Sequence, residues 1–343
     1  MTESFACRLP NQTNNELIKL GHGSGGKLTA QLIAKTFIPA FGSQFSGQLE
    51  DAAIMPFAGD SMLAITTDSY VVKPYRFPGG DIGSLAVHGT INDLAVRGAT
   101  PLFISAAFII EEGFPIEELR ALADSMRRAC EESGVVLAAA DTKVVQRSAC
   151  DKIFITTTGV GRVDRERAPS VSDTRTGDAV VVSGELGLHG MAVMCAREDL
   201  QFEHSLQSDS APLHNLCAAL LSQHEVHSMR DITRGGLVSV LCEIAEASGV
   251  GFEIDESAIP IHPQVAAACE LLGLDPLHVA CEGRLVATVP AQSAAVAVST
   301  IGGHAAIIGK ASSDHVGNVV LKSRIGGRRL LNRLSGDQLP RIC

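Results

Sequence analysis

The chain has 343 residues, of which 45% are hydrophobic and 19% charged. This composition can bury a large interior and argues against global disorder, and the length is typical of two domains. A formal net charge of -10, with 4% aromatic residues and no tryptophan, argues against a nucleic-acid partner. Nine cysteines without a CxxC pair argue against a disulfide framework or a zinc site.

The sequence shows no membrane or export signal. No apolar run reaches the length of a membrane span, and the N-terminal residues combine neither a basic start nor an apolar core. We therefore expect a cytoplasmic protein without a membrane partner.

The first half of the chain predicts an N-terminal segment over 1–40, which holds a glycine-rich loop, and a domain over 41–165. Apolar runs typical of strands lie at 62–67, 103–110, 135–140 and 153–160. The segment after Pro115 predicts an amphipathic helix that ends at Gly134. Its apolar stripe consists of Leu119, Leu122, Met126 and Ala129.

The second half predicts another domain over 174–325. Strands are predicted at 179–183, 285–289 and 305–308, and a helix carries Leu237, Val240, Leu241 and Ile244 and ends at Gly249. Residues 326–343 are predicted to form a C-terminal tail. We expect an α+β fold of two domains, with helices packed on mixed sheets.

A glycine-rich loop, GHGSGGK, occupies residues 21–27. Glycines let backbone N–H groups close on phosphate oxygens, and Lys27 adds a positive charge. The spacing is that of a P-loop, but Leu28 stands where a P-loop has its magnesium-binding Ser or Thr. We interpret the loop as a mobile cover for phosphate groups, with a flexible linker as the alternative.

Acidic residues recur beside the predicted strands and in a helix. Asp68 and Asp141 each end an apolar run, and Asp231 opens the stretch DITRGG. Asp93 follows Asn92 in a predicted helix. Each carboxylate alone is more typical of a turn or a helix cap. In combination they predict Mg2+-nucleotide chemistry, together with the basic residues Lys27, Lys143 and Arg234.

Glu282 interrupts an apolar run, in the stretch ACEG. A partly buried carboxylate has a raised pKa and can act as a base. An ion pair with Arg284 is an equally good interpretation, and the sequence leaves both open.

The final residue is a cysteine, Cys343. The stretch 335–343 shows no helical or strand period, which predicts a flexible arm with a reach of roughly 30 Å. The neighbouring terminal carboxylate disfavours a thiolate, so a hyper-reactive thiol is not expected. An incidental exposed cysteine is the alternative to a thiol that is carried into a site.

Several of these motifs together resemble the HypE family of hydrogenase maturation factors, within the AIR synthetase (PurM)-like superfamily. The resemblance spans nearly the whole chain, and the terminal PRIC is its most specific part. The matching stretches are GHGSGGK (21–27), TTDSYVVKP (66–74), FPGGDIG (77–83), GTINDLA (89–95), DTKVVQR (141–147), TTTGVG (156–161), DITRGG (231–236), DPLHVACEG (275–283) and LPRIC (339–343).

The resemblance implies a two-domain PurM-like fold and an ATP-dependent carbamoyl dehydratase. A carbamoyltransferase, HypF, would load a carbamoyl group onto Cys343. ATP would then drive its dehydration to a thiocyanate, and the cyanide would reach the iron of a nickel–iron hydrogenase through a HypC–HypD complex. The superfamily also implies a homodimer with nucleotide sites near the interface.

By similarity, the resemblance also implies residue roles. The implied catalytic residues are Cys343, Lys143 and Glu282. The implied nucleotide-binding residues are Gly23, Gly25, Gly26, Lys27, Asp68, Asn92, Asp93, Asp141, Thr233, Arg234, Gly235 and Gly236. The implied Mg2+ ligands are Asp51, Asp68, Asp93, Asp141 and Asp231.

Two alternatives stay open at this point. The first is another enzyme of the superfamily, such as selenophosphate synthetase, which would be expected to carry Cys or selenocysteine near Ser24 and Gly25. The second is a carrier scaffold that binds nucleotide without consuming it. Consumption of ATP coupled to a change on Cys343 would separate the carrier from the enzyme.

Overall fold

The computed structural model describes residues 17–41, 49–57, 61–164, 168–200, 206–334, 336 and 339–343. The helices are α1 (Lys27–Leu32), α2 (Ile38–Phe41), α3 (Ile82–Val96), α4 (Ile116–Ser133), α5 (Leu188–Arg197), α6 (His214–Gln223), α7 (Gly236–Ser248), α8 (Pro263–Leu272) and α9 (Ala294–Ile301). The strands are β1 (Ala53–Pro56), β2 (Met62–Tyr70), β3 (Arg76–Phe77), β4 (Gly80–Asp81), β5 (Ala99–Glu111), β6 (Val136–Val145), β7 (Ile153–Val163), β8 (Ala179–Val182), β9 (Ser228–Asp231), β10 (Gly251–Asp255), β11 (Leu285–Val289), β12 (Ala306–Ser312), β13 (Val319–Lys322) and β14 (Arg328–Leu331).

The first domain is built on a five-stranded sheet with the order β1-β2-β7-β5-β6. The β5–β6 pair is parallel and the other pairs are antiparallel. The amphipathic helix after Pro115 is confirmed as α4, with acidic residues in its first turn and a left-handed Gly134 at its end. Met126 and Ala129 of α4 pack against buried residues of α3 and β5, which fixes α4 on this sheet.

Helix α3 lies between the two domains. Its residues Ile82–Val96 are buried on nearly all sides, and it contacts β2, β5 and β7 as well as α6 and β9 of the second domain. Asp81 caps its start by accepting hydrogen bonds from the N–H groups of Gly83 and Ser84 at 2.9 and 3.0 Å. An apolar character on all faces is typical of a helix with no solvent side. Polar residues of α3 therefore face protein from both domains.

The second domain is built on a seven-stranded sheet with the order β14-β13-β10-β12-β8-β11-β9. Only its β10–β13 pair is parallel among the described strands, so both sheets are mixed, as predicted. The predicted helix over 237–244 is confirmed as α7, which ends before a left-handed Gly249. Leu237, Leu241 and Ile244 on α7 belong to the main core of this domain.

The predicted boundary of the tail at residue 326 is too early. Strand β14 (Arg328–Leu331) pairs with β13 and forms the edge of the second sheet. Arg328, Arg329 and Leu330 are exposed and only Leu331 is buried, so the segment carries no apolar run from which a strand could be recognised.

One face of the first sheet is covered by α3, whereas β6 is exposed along almost its whole length in the single chain. On the other face of the sheet, Val136 of β6 is 60% exposed beside Phe103 of β5, which is 48% exposed, and Ile109 further along β5 is 40% exposed. Exposed apolar side chains on one face of a sheet are typical of an interaction face. Within the described parts of the chain, no helix has both the length and the apolar character that a membrane crossing requires.

Candidate active site

The largest concentration of acidic side chains lines a cavity of about 730 Å³ at the junction of the two domains. The carboxylates around it come from β2, α3, β9, α7 and the connecting loops. They are Glu50, Asp51, Asp68, Asp93, Asp231, Glu243, Glu246 and Glu282. Because residues far apart in the chain meet here, the cavity exists only in the folded two-domain arrangement.

Strand β2 and helix α3 place the first pair of carboxylates. Side chains alternate along a strand, so Thr66, Asp68 and Tyr70 of β2 point to the same side, toward α3. The Thr66 hydroxyl donates to Oδ2 of Asp93 on α3 at 2.6 Å. Asp68 lies inside β2 instead of at its end, because β2 continues to Tyr70.

Asp51, Asp93 and Asp231 form the centre of the site, here called the carboxylate triad. One oxygen from each lies within 4.8 Å of the others. Burial raises the pKa of Asp231 to about 7, with a further contribution from Asp68, while Arg230 opposes the shift. Burial also raises the pKa values of Asp51 and Asp93 well above their ordinary range, and neighbouring carboxylates add to both shifts.

The triad fits a hard divalent cation. Three largely buried carboxylates at this separation repel one another when ionised, and burial together with this repulsion raises their pKa values. Carboxylate oxygens are the ligands that Mg2+ prefers, with water and phosphate oxygens completing its coordination. The donor set and the electrostatics therefore agree with the predicted metal site.

Arg230 offsets part of this negative charge, and sequence reasoning did not single it out. Its Nε lies 2.6 Å from Asp51 Oδ2, and its Nη2 lies 3.0 Å from Glu243. Likewise, Arg97 forms a buried ion pair with Glu50 at 2.9 Å. Arg230 directly precedes the predicted ligand Asp231, and this adjacency is the sequence signal that could have indicated it.

Glu282 lies in the same cavity with only 3% of its surface exposed. Its Oε1 has no hydrogen-bond partner among the described residues. Burial is the largest cause that raises the pKa of Glu282 well above its ordinary range, and the nearby carboxylates of Asp231 and Asp209 raise it further. Arg284 does not pair with it: the guanidinium donates to the Gly283 carbonyl at 2.8 Å and lies 3.9 Å from Asp209. Of the two interpretations left open by the sequence, the structure supports the unpaired buried carboxylate.

The last five residues are docked, which corrects the expectation of a free arm. The N–H of Val71 donates to the Cys343 carbonyl at 3.0 Å, and that of Lys73 donates to the Arg341 carbonyl at 3.1 Å. Ile342 is 3% exposed and packs in a core cluster. These are contacts to the backbone and to apolar surface, so tail residues need no strand or helix period to make them.

Docking brings Cys343 to the wall of the acid-lined cavity. Burial raises the pKa of its thiol to about 12; Arg234 opposes this shift, whereas Glu282 and Asp68 add to it. Cys343 thus carries a protonated thiol at neutral pH. The expectation that it is not a spontaneously reactive thiolate agrees with this environment.

The two glycine-rich loops meet beside Cys343. Arg234 Nη1 donates to the Gly23 carbonyl at 3.0 Å. Gly25, at a φ of 76°, approaches so closely that a Cβ there would lie 3.1 Å from the Arg234 carbonyl oxygen. Gly235, with a φ of 81°, ends the turn that leads into α7.

The structure thus brings together most of the predicted nucleotide-binding residues. Gly25, Asp68, Asp93, Thr233 and Arg234 line the acid-lined cavity. Gly23, Gly26 and Gly235 line a smaller adjoining cavity that Arg234 and Cys343 also border. Gly236 starts α7 next to them.

Four predicted residues lie elsewhere. Lys27 lines a further cavity, which shares Glu246 and Arg333 with the acid-lined one. Asn92 is buried: its amide donates to the Ala211 and Glu282 carbonyls, and its Oδ1 accepts from Leu213 N at 2.7 Å. This side chain joins α3 to the second domain and leaves no donor for a nucleotide.

Asp141 and Lys143 are the other two, and they lie on exposed β6, paired with each other at 2.5 Å. Asp141 lies inside β6, which continues to Val145, and not at a strand end. Neither residue lines the acid-lined cavity of its own described chain. Their predicted roles stay predictions.

Comparison with known proteins identifies both domains. The family model described as AIR synthase related protein, N-terminal domain, matches residues 49–163. The corresponding C-terminal domain model matches residues 175–322. The predicted two-domain AIR synthetase-like fold is therefore confirmed.

Individual relatives narrow the family further. A protein of Cupriavidus necator named carbamoyl dehydratase HypE is 47% identical over 348 residues, spanning 100% of this chain and 99% of the relative. A crystal structure of a HypE–HypF complex matches with 44% identity and a TM-score of 0.83, over 88% of this chain and 99% of the other. A structure of HypE in complex with ATP matches with 42% identity and a TM-score of 0.80, over 94% and 98% of the two chains. The chain belongs to the HypE family of carbamoyl dehydratases, among the AIR synthase related proteins.

Proposed function

We propose that this protein uses ATP to dehydrate a carbamoyl group carried on the sulfur of Cys343 and so forms a thiocyanate for the iron of a nickel–iron hydrogenase. The observation that carries the proposal is the docking of a C-terminal cysteine against the acid-lined cavity. The family membership supports the dehydration, and the relative bound to ATP supports the nucleotide.

The reaction balances as one S-carboxamide and one ATP to one thiocyanate, one ADP, one phosphate and a proton. The carbamoyl oxygen attacks the γ-phosphorus and ADP leaves, because hydroxide itself is a poor leaving group. Both N–H protons are then lost, one to the departing phosphate and one through the base to solvent. The C–O bond breaks with its electron pair going to phosphate, and the nitrogen electron pairs complete the nitrile. Most of the catalysis in such a transfer is positioning and charge stabilisation.

Glu282 is suited to take a proton from the carbamoyl nitrogen. Its Oε1 is unpartnered within the described residues, and burial raises its pKa. A carboxylate with a raised pKa is a stronger base than an exposed one. Arg234 lies between Cys343 and the glycine-rich loop, where its charge can bind phosphate oxygens.

The triad of Asp51, Asp93 and Asp231 would hold Mg2+, with Asp68 beside it. When bound, the metal supplies positive charge that offsets the triphosphate. The cavity of about 730 Å³ has room for a nucleotide, and the glycine-rich loops around Gly25 and Gly235 can close on it.

The proposed partners follow from the relatives and from the exposed sheet. One relative is seen in complex with HypF, which supports a HypF-type carbamoyltransferase as the donor of the carbamoyl group. A HypC–HypD complex is the proposed acceptor of the cyanide. The apolar face on β5 and β6 supports a homodimer, and we place the protein in the cytoplasm with its partners.

Mass spectrometry of the intact protein tests the function. The protein is incubated with its carbamoyltransferase, carbamoyl phosphate and Mg-ATP, and adducts are located by peptide fragmentation. We expect one carbamoyl group on Cys343, followed by loss of one water and release of phosphate. The Cys343→Ala variant should fold, bind ATP and form no adduct, whereas the matched variant of a partly buried cysteine elsewhere, Cys150→Ala, should behave as wild type.

Two outcomes would contradict the proposal. A carbamoyl group that stays intact in the presence of bound ATP and active partner would favour the carrier scaffold. Normal hydrogenase maturation with Cys343→Ala would remove the terminal cysteine from the reaction.

A further inference from the structure

Side chains of helix α5 bind the main chain of the docked tail. Arg197, at the end of α5, donates to the Pro340 carbonyl at 2.7 Å and to the Arg341 carbonyl at 2.8 Å. His189, near the start of α5, contacts the next carbonyl, that of Ile342, through Nε2 at 2.9 Å. Three successive carbonyl groups before Cys343 are therefore bound by one helix.

The partners of His189 define its tautomer. The Ile342 carbonyl can only accept, so Nε2 must carry the proton. Nδ1 is then an acceptor, and the Ser208 hydroxyl donates to it at 2.8 Å. Burial lowers the pKa of His189 to about 4, which keeps the ring neutral. Ser208 Oγ in turn accepts from the N–H of Ser210 at 3.1 Å.

Ser208 is itself held in place. Its N–H donates to the Pro78 carbonyl at 2.8 Å. Gly79, at a φ of 92°, permits this approach, since a Cβ there would lie 2.7 Å from the Ser208 nitrogen. The hydroxyl that orients His189 thus sits on a fixed backbone.

The next residue of the same segment contacts the proposed base. Asp209 Oδ1 accepts from the Glu282 N–H at 3.0 Å. A Cβ at Gly283 would lie 1.9 Å from the Asp209 carbonyl oxygen, so the two backbones are in close contact. The segment Ser208–Asp209 therefore contacts both His189, which binds the tail, and the backbone of Glu282, the proposed base.

We propose that His189, oriented by Ser208, is a positioning residue that fixes the Ile342 carbonyl and thereby directs the Cys343 sulfur into the acid-lined cavity. This inference rests on the proposed function. The contact is made to a backbone carbonyl and not to the thiol, so it can form equally well when the sulfur is free, carbamoylated or converted to thiocyanate. The tail can therefore leave to be loaded and form the same docking contacts again when it returns.

The test compares four variants. His189→Phe keeps the ring, which packs edge-on against Phe77 at 5.2 Å, but removes both polar contacts. His189→Gln retains a donor that can reach the Ile342 carbonyl. Ser208→Ala removes only the orienting hydroxyl. The matched control is His88→Phe, because His88 is also buried and contacts Ser210, the residue after this segment, at 3.1 Å, but forms no hydrogen bond with the described tail residues.

The first readout is independent of the reaction. The rate at which iodoacetamide alkylates Cys343 is measured by peptide mapping in unloaded protein, and thermal unfolding checks the fold. Loss of a buried hydrogen bond is equivalent to about a tenfold change in an equilibrium, so His189→Phe should alkylate about tenfold faster. Ser208→Ala should fall between His189→Phe and wild type, and His189→Gln and His88→Phe should stay near the wild-type rate.

The second readout is single-turnover dehydration of the carbamoylated protein. His189→Phe should lower this rate about tenfold while loading by the carbamoyltransferase stays unchanged, and His189→Gln should restore most of it. If wild type does not dehydrate at all, the proposed function fails, and alkylation still decides whether His189 positions the tail. Wild-type alkylation and dehydration rates in folded His189→Phe would overturn the inference.

Discussion

At the scale of single residues, the site is defined by carboxylates whose charge is not balanced within the chain. Arg230 pairs with Asp51, but Asp93 has only the hydroxyl of Thr66 as a close partner in the described structure. Burial and the neighbouring carboxylates Asp68 and Asp231 raise the pKa of Asp93. A group with a pKa raised in the folded state binds protons more tightly there than in the unfolded chain, so its ionisation destabilises the fold.

This gives a prediction for stability without divalent cations. Because the pKa of Asp231 rises from 3.8 to about 7, the free energy of unfolding should fall as pH increases from about 4 to about 7. Asp93→Asn keeps an acceptor for Thr66 and removes one charge. At pH 8 in EDTA it should be more stable than wild type by about 1 to 2 kcal/mol, because the variant removes the cost of a buried charge that has no cation beside it. Urea unfolding at several pH values measures the difference.

Magnesium should reverse this order. Wild type should gain stability when Mg2+ is added, because the cation binds the folded triad, whereas Asp93→Asn should gain less and turn over ATP more slowly. Asp124→Asn is the matched control, since Asp124 is exposed on α4, pairs with Arg127 and lies outside the predicted site. An equal magnesium response in wild type and Asp93→Asn would remove Asp93 from the metal site.

At the scale of secondary-structure elements, α3 must pack closely against β2 to bring Asp93 to Asp68. Gly89 allows this approach: a Cβ at this position would lie 2.3 Å from the Tyr70 hydroxyl oxygen. Tyr70 is 3% exposed and its hydroxyl lies 3.4 Å from Asp68. The glycine therefore determines the spacing between the two elements that carry the site.

Gly89→Ala should destabilise the protein by about 1 to 3 kcal/mol, because an added methyl group forces strain into a closely packed contact. The nearest atom is the tyrosine hydroxyl, so Tyr70→Phe in the same chain should recover part of the loss. A double-mutant cycle of urea unfolding measures the coupling between the two changes. Strict additivity would show that the methyl group is accommodated elsewhere.

Elements with a strong apolar period could be predicted from the sequence, and those without one could not. The stripe of α4 and the apolar runs of β5 and β7 appeared at nearly their observed positions. Strand β14 was missed because Arg328 and Arg329 are exposed at a sheet edge. The docking of the tail was missed for a related reason. Its hydrogen bonds use main-chain groups, so they do not depend on a pattern of side chains that the sequence could show.

At the scale of the whole molecule, the site depends on pairs that are distant in the chain. Four of the acidic residues around the cavity were singled out from their motifs, namely Asp68, Asp93, Asp231 and Glu282. Partner residues could not be predicted, because Arg230 with Asp51 and Asp209 with Glu282 are joined by the fold and not by spacing. Asn92 is the opposite case: its motif suggested ligand binding, whereas its three hydrogen bonds connect the two domains.

The exposed face of the first sheet leads to the last prediction. Phe103 and Ile109 are large exposed apolar residues on the same face of β5, and Lys143 of β6 is the register partner of Ile109. If this face joins two copies, Phe103→Asp with Ile109→Asp should convert the protein to a monomer in sedimentation equilibrium. Leu271→Asp is the matched control, since Leu271 is 67% exposed on α8 of the other domain and should leave the assembly unchanged.

Complementation then asks which copy supplies Lys143. Lys143→Ala and Cys343→Ala should each be inactive alone. In a mixed dimer, the Cys343 of one copy can meet the Lys143 of the other, so mixing the two variants should restore up to about a quarter to a half of the dehydration rate if the lysine acts across the interface. Exchange of subunits is confirmed by mass spectrometry of the native assembly. Mixed dimers that form but stay inactive would mean that Lys143 does not serve the site of the neighbouring copy, and its exposed position on β6 would then exclude it from the reaction unless the strand itself moves.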